Sequence, residues 1–152
     1  MSEGIWDNLN EDDLSPWFTI RTYKSLDELV PCNYVSDYIK PFPLIPQVID
    51  NDFPTWDGGG IPADIENIII KMEEDYYIDY FDDICEEIYE QHKIGGYPSF
   101  FPGDYWGFGK NYPFVMQISS DDKANFNIKG NFYFFYNASN DSWKVYSDFY
   151  EI

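Results

Sequence analysis

Three runs in the last third of the chain, YPFVMQISS (residues 112–120), NFYFFYN (131–137) and WKVYSDFY (143–150), are rich in aromatic and β-branched side chains and are separated by the polar stretches DDKANFNIKG and ASND. Apolar runs broken by turn-forming residues predict an antiparallel meander. Far upstream, WFTIRTY (17–23) alternates and reads as a short strand. Ser25 and Glu28 have the spacing of a capping box, which predicts a short helix ending near Val30, before Pro31. Residues 1–15 are polar, acid-rich and aperiodic, so a loose arm or a docked irregular segment is expected there.

The clearest helical pattern covers residues 62–91. Met72, Tyr76, Tyr80, Ile84 and Ile88 recur every four positions, flanked by Tyr77, Phe81, Cys85 and Tyr89. That spacing predicts one long amphipathic helix, with Pro62 in its first turn and Gly95-Gly96 beyond its end. Its opposite side collects Glu73, Glu74, Asp75, Asp79, Asp82, Asp83, Glu86, Glu87 and Glu90, with no base between Lys71 and Lys93. A solvated helix face ordinarily interleaves Lys with Glu, because opposite charges four residues apart stabilise and like charges destabilise. Spread along a helix, these acids would display negative charge over roughly 25 Å, at a spacing comparable to that of DNA phosphates.

Between these regions, residues 41–62 carry Pro41, Pro43, Pro46, Pro54 and Pro62 and three consecutive glycines, the text of an ordered connector. The expectation is therefore a single domain, residues 1–152, of the α+β class. Its parts would be an antiparallel β-sheet in the C-terminal part, one long acidic amphipathic helix, and a short N-terminal strand and helix.

Composition sharpens this picture. With 44% hydrophobic and 21% aromatic residues in 152, the chain can bury a core. Its 28 acids against 9 bases leave a net charge of −19. Residues 1–91 hold 22 acids and 4 bases, a balance of −18, whereas residues 92–152 hold 6 acids and 5 bases, a balance of −1. Such a charge opposes direct binding of nucleic acid or of anionic membranes, and it steers the molecule toward a basic partner. No apolar run approaches the roughly 18 residues of a membrane span. The acidic start lacks a basic, then apolar, leader, so a cytoplasmic location is expected. Cys32 and Cys85, two in number and far apart, read as reduced core thiols.

Catalytic chemistry finds little support. The only histidine, His92, stands next to Lys93 at the predicted helix end, where it would cap the exposed carbonyls. No GxSxG and no Cys-His arrangement is present. Asp50-Asn51-Asp52 and Asp121-Asp122 offer hard oxygens, but neither continues into a calcium-loop pattern, so no metal and no cofactor is expected. Abundant acids make any one glycosidase-like carboxylate pair uninformative. GDYWGFGK (103–110) lacks the order of a phosphate loop. It reads instead as an aromatic contact loop of Tyr105, Trp106 and Phe108, with Tyr97 nearby in sequence.

The segment from His92 to Phe100, HKIGGYPSF, resembles a segment of the YwqG-like family of bacterial proteins of unknown biochemical function. In that family a similar stretch follows an acidic helix and precedes a strand containing LLQIDSD. Here FVMQISSDD (114–122) occupies that place, with PLIP (43–46) resembling the family's proline-rich lead-in. The resemblance spans about residues 42–150 and extends to FYFF (132–135) and YSDF (146–149). Residues 125–130 stand where the family has a WGD segment, so the ligand site built on WGD does not carry over. What the resemblance implies is an α+β fold with an antiparallel sheet, and it brings no catalytic residue.

The leading expectation is a non-enzymatic inhibitor that blocks the groove of a basic, nucleic-acid-handling protein by phosphate mimicry, as an anti-CRISPR or other anti-defence protein or a toxin immunity protein would. Its contacts would come from the nine acids between Glu73 and Glu90. The alternative is a YwqG-like cytosolic protein holding a small ligand in an aromatic cleft near Tyr97, Tyr105, Trp106 and Trp143. An enzyme is the third and least favoured reading.

Overall fold

A computed structural model describes residues 13–31, 36–41, 43–56, 60–100 and 111–149. Its centre is a four-stranded antiparallel sheet in the order β1 (Lys93–Ile94), β2 (Phe114–Asp121), β3 (Phe126–Asn137) and β4 (Ser142–Phe149). With one α-helix, α1 (Ala63–Tyr76), the architecture is α+β. The predicted meander forms, and β3 starts five residues earlier than its aromatic run.

Strand β3 organises the core because its rings alternate between the two sheet faces. Phe132 and Phe134 point to one side, where they meet Leu14, Ile128 and Val145, all buried. Tyr133 and Phe135 point to the other, against Phe100, with the Phe100 and Tyr133 ring centroids 4.6 Å apart. Buried side chains on both faces explain why β3 reads as continuous aromatic text rather than as apolar–polar alternation. Register is set by Phe134 opposite both Met116 and Val145, and by Tyr133 opposite Gln117 and Tyr146.

The turns follow local chemistry. Between β2 and β3, the Asp121 carboxylate accepts from the Lys123 and Ala124 amides at 2.7 and 3.3 Å, and Asn125 takes a left-handed φ of 55°. Short Asx side chains tolerate that conformation and hydrogen-bond the turn backbone.

The N-terminal segment departs from expectation. Residues 17–23 form no strand. Asp13 and Leu14 already occupy the outer edge of β4: the Leu14 amide donates to the Val145 carbonyl at 2.7 Å, and Asp13 accepts from the Val145 amide and pairs with Lys144. The chain then crosses over the sheet face, so Phe18 sets its ring edge-on against Phe132 and Phe134, at 5.1 and 5.5 Å. The predicted helix near residues 25–30 is a single 3-10 turn, Leu26–Glu28, in which Ser25 accepts from the Asp27 amide. Glu28 accepts from the Lys24 amide at 3.2 Å, one residue before the Ser25 amide that a capping box would use, and no longer helix propagates.

The long helix also falls short. α1 stops at Tyr76, and Tyr77 is left-handed at φ 59°, its amide donating to Glu73 while the Ile78 amide donates to Met72. Six-to-one closure of this kind satisfies the terminal carbonyls. Electrostatics favours the stop, since Glu73, Glu74 and Asp75 sit at the negative end of the helix dipole with no base in the last turn. Continuing the helix would stack Asp75 on Asp79 and Asp79 on Asp83. Instead Asp79 caps a new five-residue turn, Tyr80–Ile84, accepting from the Phe81 and Asp82 amides at 2.7 and 3.0 Å, while Asp83 accepts from the Asp79 amide at 2.8 Å.

Candidate functional site

The nine acids form a strip of three differently built pieces rather than one helix face. Glu73, Glu74 and Asp75 are exposed on the last turn of α1. Asp82 and Asp83 are exposed on the capped turn, and Asp79 is half-buried as its cap. Glu86, Glu87 and Glu90 are exposed on an irregular stretch, residues 85–91. Among the described residues the ion pairs are Lys93–Asp52, Lys144–Asp13 and His92–Asp121, so no described cation pairs with the strip. Glu86, Glu87 and Tyr89 face Asp50 and the connector residues Val48 and Ile49 across an open cleft of about 280 Å³. Three acidic residues, Asp50, Glu86 and Glu87, are thus among those that line the cleft.

The strip rests on a small core of its own, in which Ile69 of α1 packs with Ile61, Tyr80 and Cys85, bordered by Phe53, Trp56, Ile84 and Ile88. Tyr80 donates to the Pro54 carbonyl at 2.7 Å, and burial pushes its phenol up to about 12. Cys85 is a buried free thiol whose pKa burial also raises, and Cys32 lies outside the described residues.

A polar latch fastens this region to the sheet. Gln117, 1% exposed, donates from Nε2 to the carbonyls of Glu90 and Gln91 at 2.9 and 3.2 Å, and its Oε1 accepts from the Ser99 amide at 3.0 Å. Ser119 adds a hydroxyl donated to the Glu90 carbonyl. The Tyr133 hydroxyl, with one proton to share, lies 2.8 Å from the Ser99 carbonyl and within hydrogen-bond reach of Asp148; burial, with the Asp148 charge beside it, drives its pKa far upward. Lys93 pairs with Asp52 at 3.0 Å, and burial, opposed by that carboxylate, leaves its pKa lowered. Asp52 also accepts from the Tyr97 amide at 2.7 Å. Gly96, at φ +68°, lies so close that any β-carbon would overlap the Asp52 carboxylate.

His92 is consequently no helix cap, because no helix ends beside it. Its Nδ1 accepts from the Ser119 amide at 3.0 Å, which places the ring proton on Nε2, 3.4 Å from Asp121. Burial raises the Asp121 pKa, but the Ala124 and Lys123 amides and His92 outweigh it and hold the carboxyl below its ordinary range.

Of the aromatic candidates, Tyr97 lies against Gly60, and Tyr105, Trp106 and Phe108 lie outside the described residues. Trp143 packs with the Leu14–Phe134–Val145 cluster on the opposite sheet face from Phe100, so the structure does not bring it to Tyr97. No group of three or more His, Cys, Asp or Glu among the described residues is arranged to hold a metal ion. Asp52 and Asp121 are instead engaged by Lys93 and by the β2–β3 turn. From sequence, Asp52 is weighed only as a hard oxygen, and Ser99 and Gln117 are given no role; their partners lie 18 to 45 residues away, and no local spacing signals such pairings. Among the described residues no helix is long and apolar enough to cross a membrane.

Comparison with models of protein families, with curated proteins and with solved structures finds no match to this chain.

Proposed function

We propose that this protein is a non-enzymatic inhibitor that presents its acidic strip, Glu73 to Glu90, to the basic groove of a nucleic-acid-handling protein in the cytoplasm. The observation that carries the reading is that none of these nine carboxylates pairs with a cation among the described residues. Unneutralised charge raises association rates and rewards a partner whose Arg and Lys side chains face it. Support comes from the absence of ion pairs to the strip among the described residues and from the open cleft that Asp50, Glu86 and Glu87 help to line. The regular spacing of a single long helix contributes nothing, because the strip is built from three pieces.

The test is retention of the partner from host lysate on immobilised protein at low salt, followed by elution with a duplex DNA oligonucleotide. A partner released by duplex DNA and by rising salt, and not retained by a variant carrying Glu73→Gln, Glu74→Gln, Asp82→Asn, Glu86→Gln and Glu87→Gln, is the expected result. Retention indifferent to DNA and to these substitutions overturns it. The variant leaves Asp79 and Asp83 in place because both cap the backbone.

A YwqG-like ligand-binding protein is the second reading. It is favoured by the cooperation of His92, Lys93, Gly96 and Ser99, all within the resembling segment, in one latch. A stabilising small molecule in a thermal-shift screen would raise it above the first.

A further inference from the structure

Helix α1 is amphipathic, yet among its described side chains only Ile69 is buried. Ile65, Ile68, Met72 and Tyr76 follow the spacing i, i+3, i+7, i+11 and so share one stripe. Met72 is half-buried, whereas Ile65 is 42%, Ile68 53% and Tyr76 72% exposed. Helical geometry places Asp64 and Asp75, with Lys71 beside them, along the open flank of the stripe, whereas Glu66 and Glu73 lie beyond the buried Ile69 on the other side. Just beyond the helix, Tyr77 and Phe81 continue the exposed apolar surface.

We infer that this stripe docks a cationic amphipathic helix of the partner protein, with apolar side chains laid on Ile65, Ile68 and Tyr76 and Lys or Arg reaching Asp64 and Asp75 on the open flank. The inference rests on the inhibitor reading and specifies how part of that partner is gripped. Charge selects the occupant. A second copy of this chain would bring together molecules that each carry −19, whereas a basic helix complements the stripe and its Asp64 and Asp75 border together. At 14 residues α1 spans about 21 Å, room for three to four turns of a partner helix.

The probes are a synthetic 18-residue Lys/Leu peptide with helical apolar period and an oligolysine of equal charge, titrated against the full chain by fluorescence anisotropy. The protein is expected to prefer the amphipathic peptide about tenfold. Ile65→Ser with Ile68→Ser should bring that preference to about one. Tyr76→Ser, at the most exposed of the three positions, should weaken it several-fold and serves as the readout should circular dichroism show the double variant unfolded. A preference unchanged in the folded variants overturns the inference. The inhibitor reading still stands if the five-fold charge-neutralised variant loses both peptides, and falls if it loses neither. Concentration-dependent dimerisation of the protein alone, abolished by Ile68→Ser, would assign the stripe to a second copy and overturn the inference as well.

Discussion

The sheet and the acidic region solve opposite problems within one chain. In β2, β3 and β4, rings fill both faces, and residues 92–152 are nearly balanced in charge. Around α1 the core is four buried residues, the neighbouring isoleucines are exposed, and the carboxylates of the strip have no ion-pair partner among the described residues. The difference teaches that cohesion is concentrated in the sheet, while the acidic region, which gives up part of its own stability to charge repulsion, depends on the latch through Gln117 to hold its shape.

Truncations should separate the two regions most sharply. Phe134→Ala is expected to cost about 3–5 kcal/mol, whereas Ile68→Ala on the exposed stripe should stay within about 0.5 kcal/mol, both read by urea denaturation. Comparable losses would erase the contrast.

Gln117→Ala acts at the junction. It strips partners from the Glu90 and Gln91 carbonyls and the Ser99 amide. A loss of about 2–3 kcal/mol is expected, with amide exchange accelerated in residues 85–99 more than in β3.

Acid titration probes the sheet's outer edge. Burial raises the Asp13 pKa, but bonds from Lys144 and from the Ser15 and Val145 amides prevail and hold it below the ordinary 3.8. A carboxylate with a lowered folded pKa stabilises above the unfolded value and loses that contribution as pH falls through the folded one. Wild type should therefore exceed Asp13→Asn by about 1 kcal/mol near neutrality, and in pH-dependent denaturation the gap should close as pH falls below the ordinary 3.8 and through the lowered folded value.

The smallest expected effect is a gain. Tyr77 is left-handed and exposed, so Tyr77→Gly should add about 0.5–1 kcal/mol by thermal denaturation while leaving the strip's charge untouched.

The strands were legible because their signals are local: short runs dense in aromatic and β-branched side chains, and polar turns between them. The helix was overextended because its four-residue apolar spacing continues through Tyr80, Ile84 and Ile88, which do reach a common core, but from a second turn and an irregular stretch. Asp79 carried the missed signal. Counted as one more acid on a face, it is the cap at which a new turn begins. Residues 17–23 look like a strand because Trp17, Phe18 and Ile20 pack on the sheet's first face, yet Asp13 and Leu14 take the edge where such a strand would pair. The latch was illegible in principle, since Asp52 meets Lys93 and Tyr97 only after the connector has folded back across more than forty residues. As for the candidate site, the lack of bases was visible in the text, and its division into three pieces was not.

Gln117 grips residues 90 and 91 by their main-chain oxygens, and every amino acid supplies one. Side chains along that stretch can thus be exchanged without disturbing the fastening. A lineage pressed to follow a changing target could rewrite Glu86, Glu87 and Glu90 freely while inheriting the same scaffold.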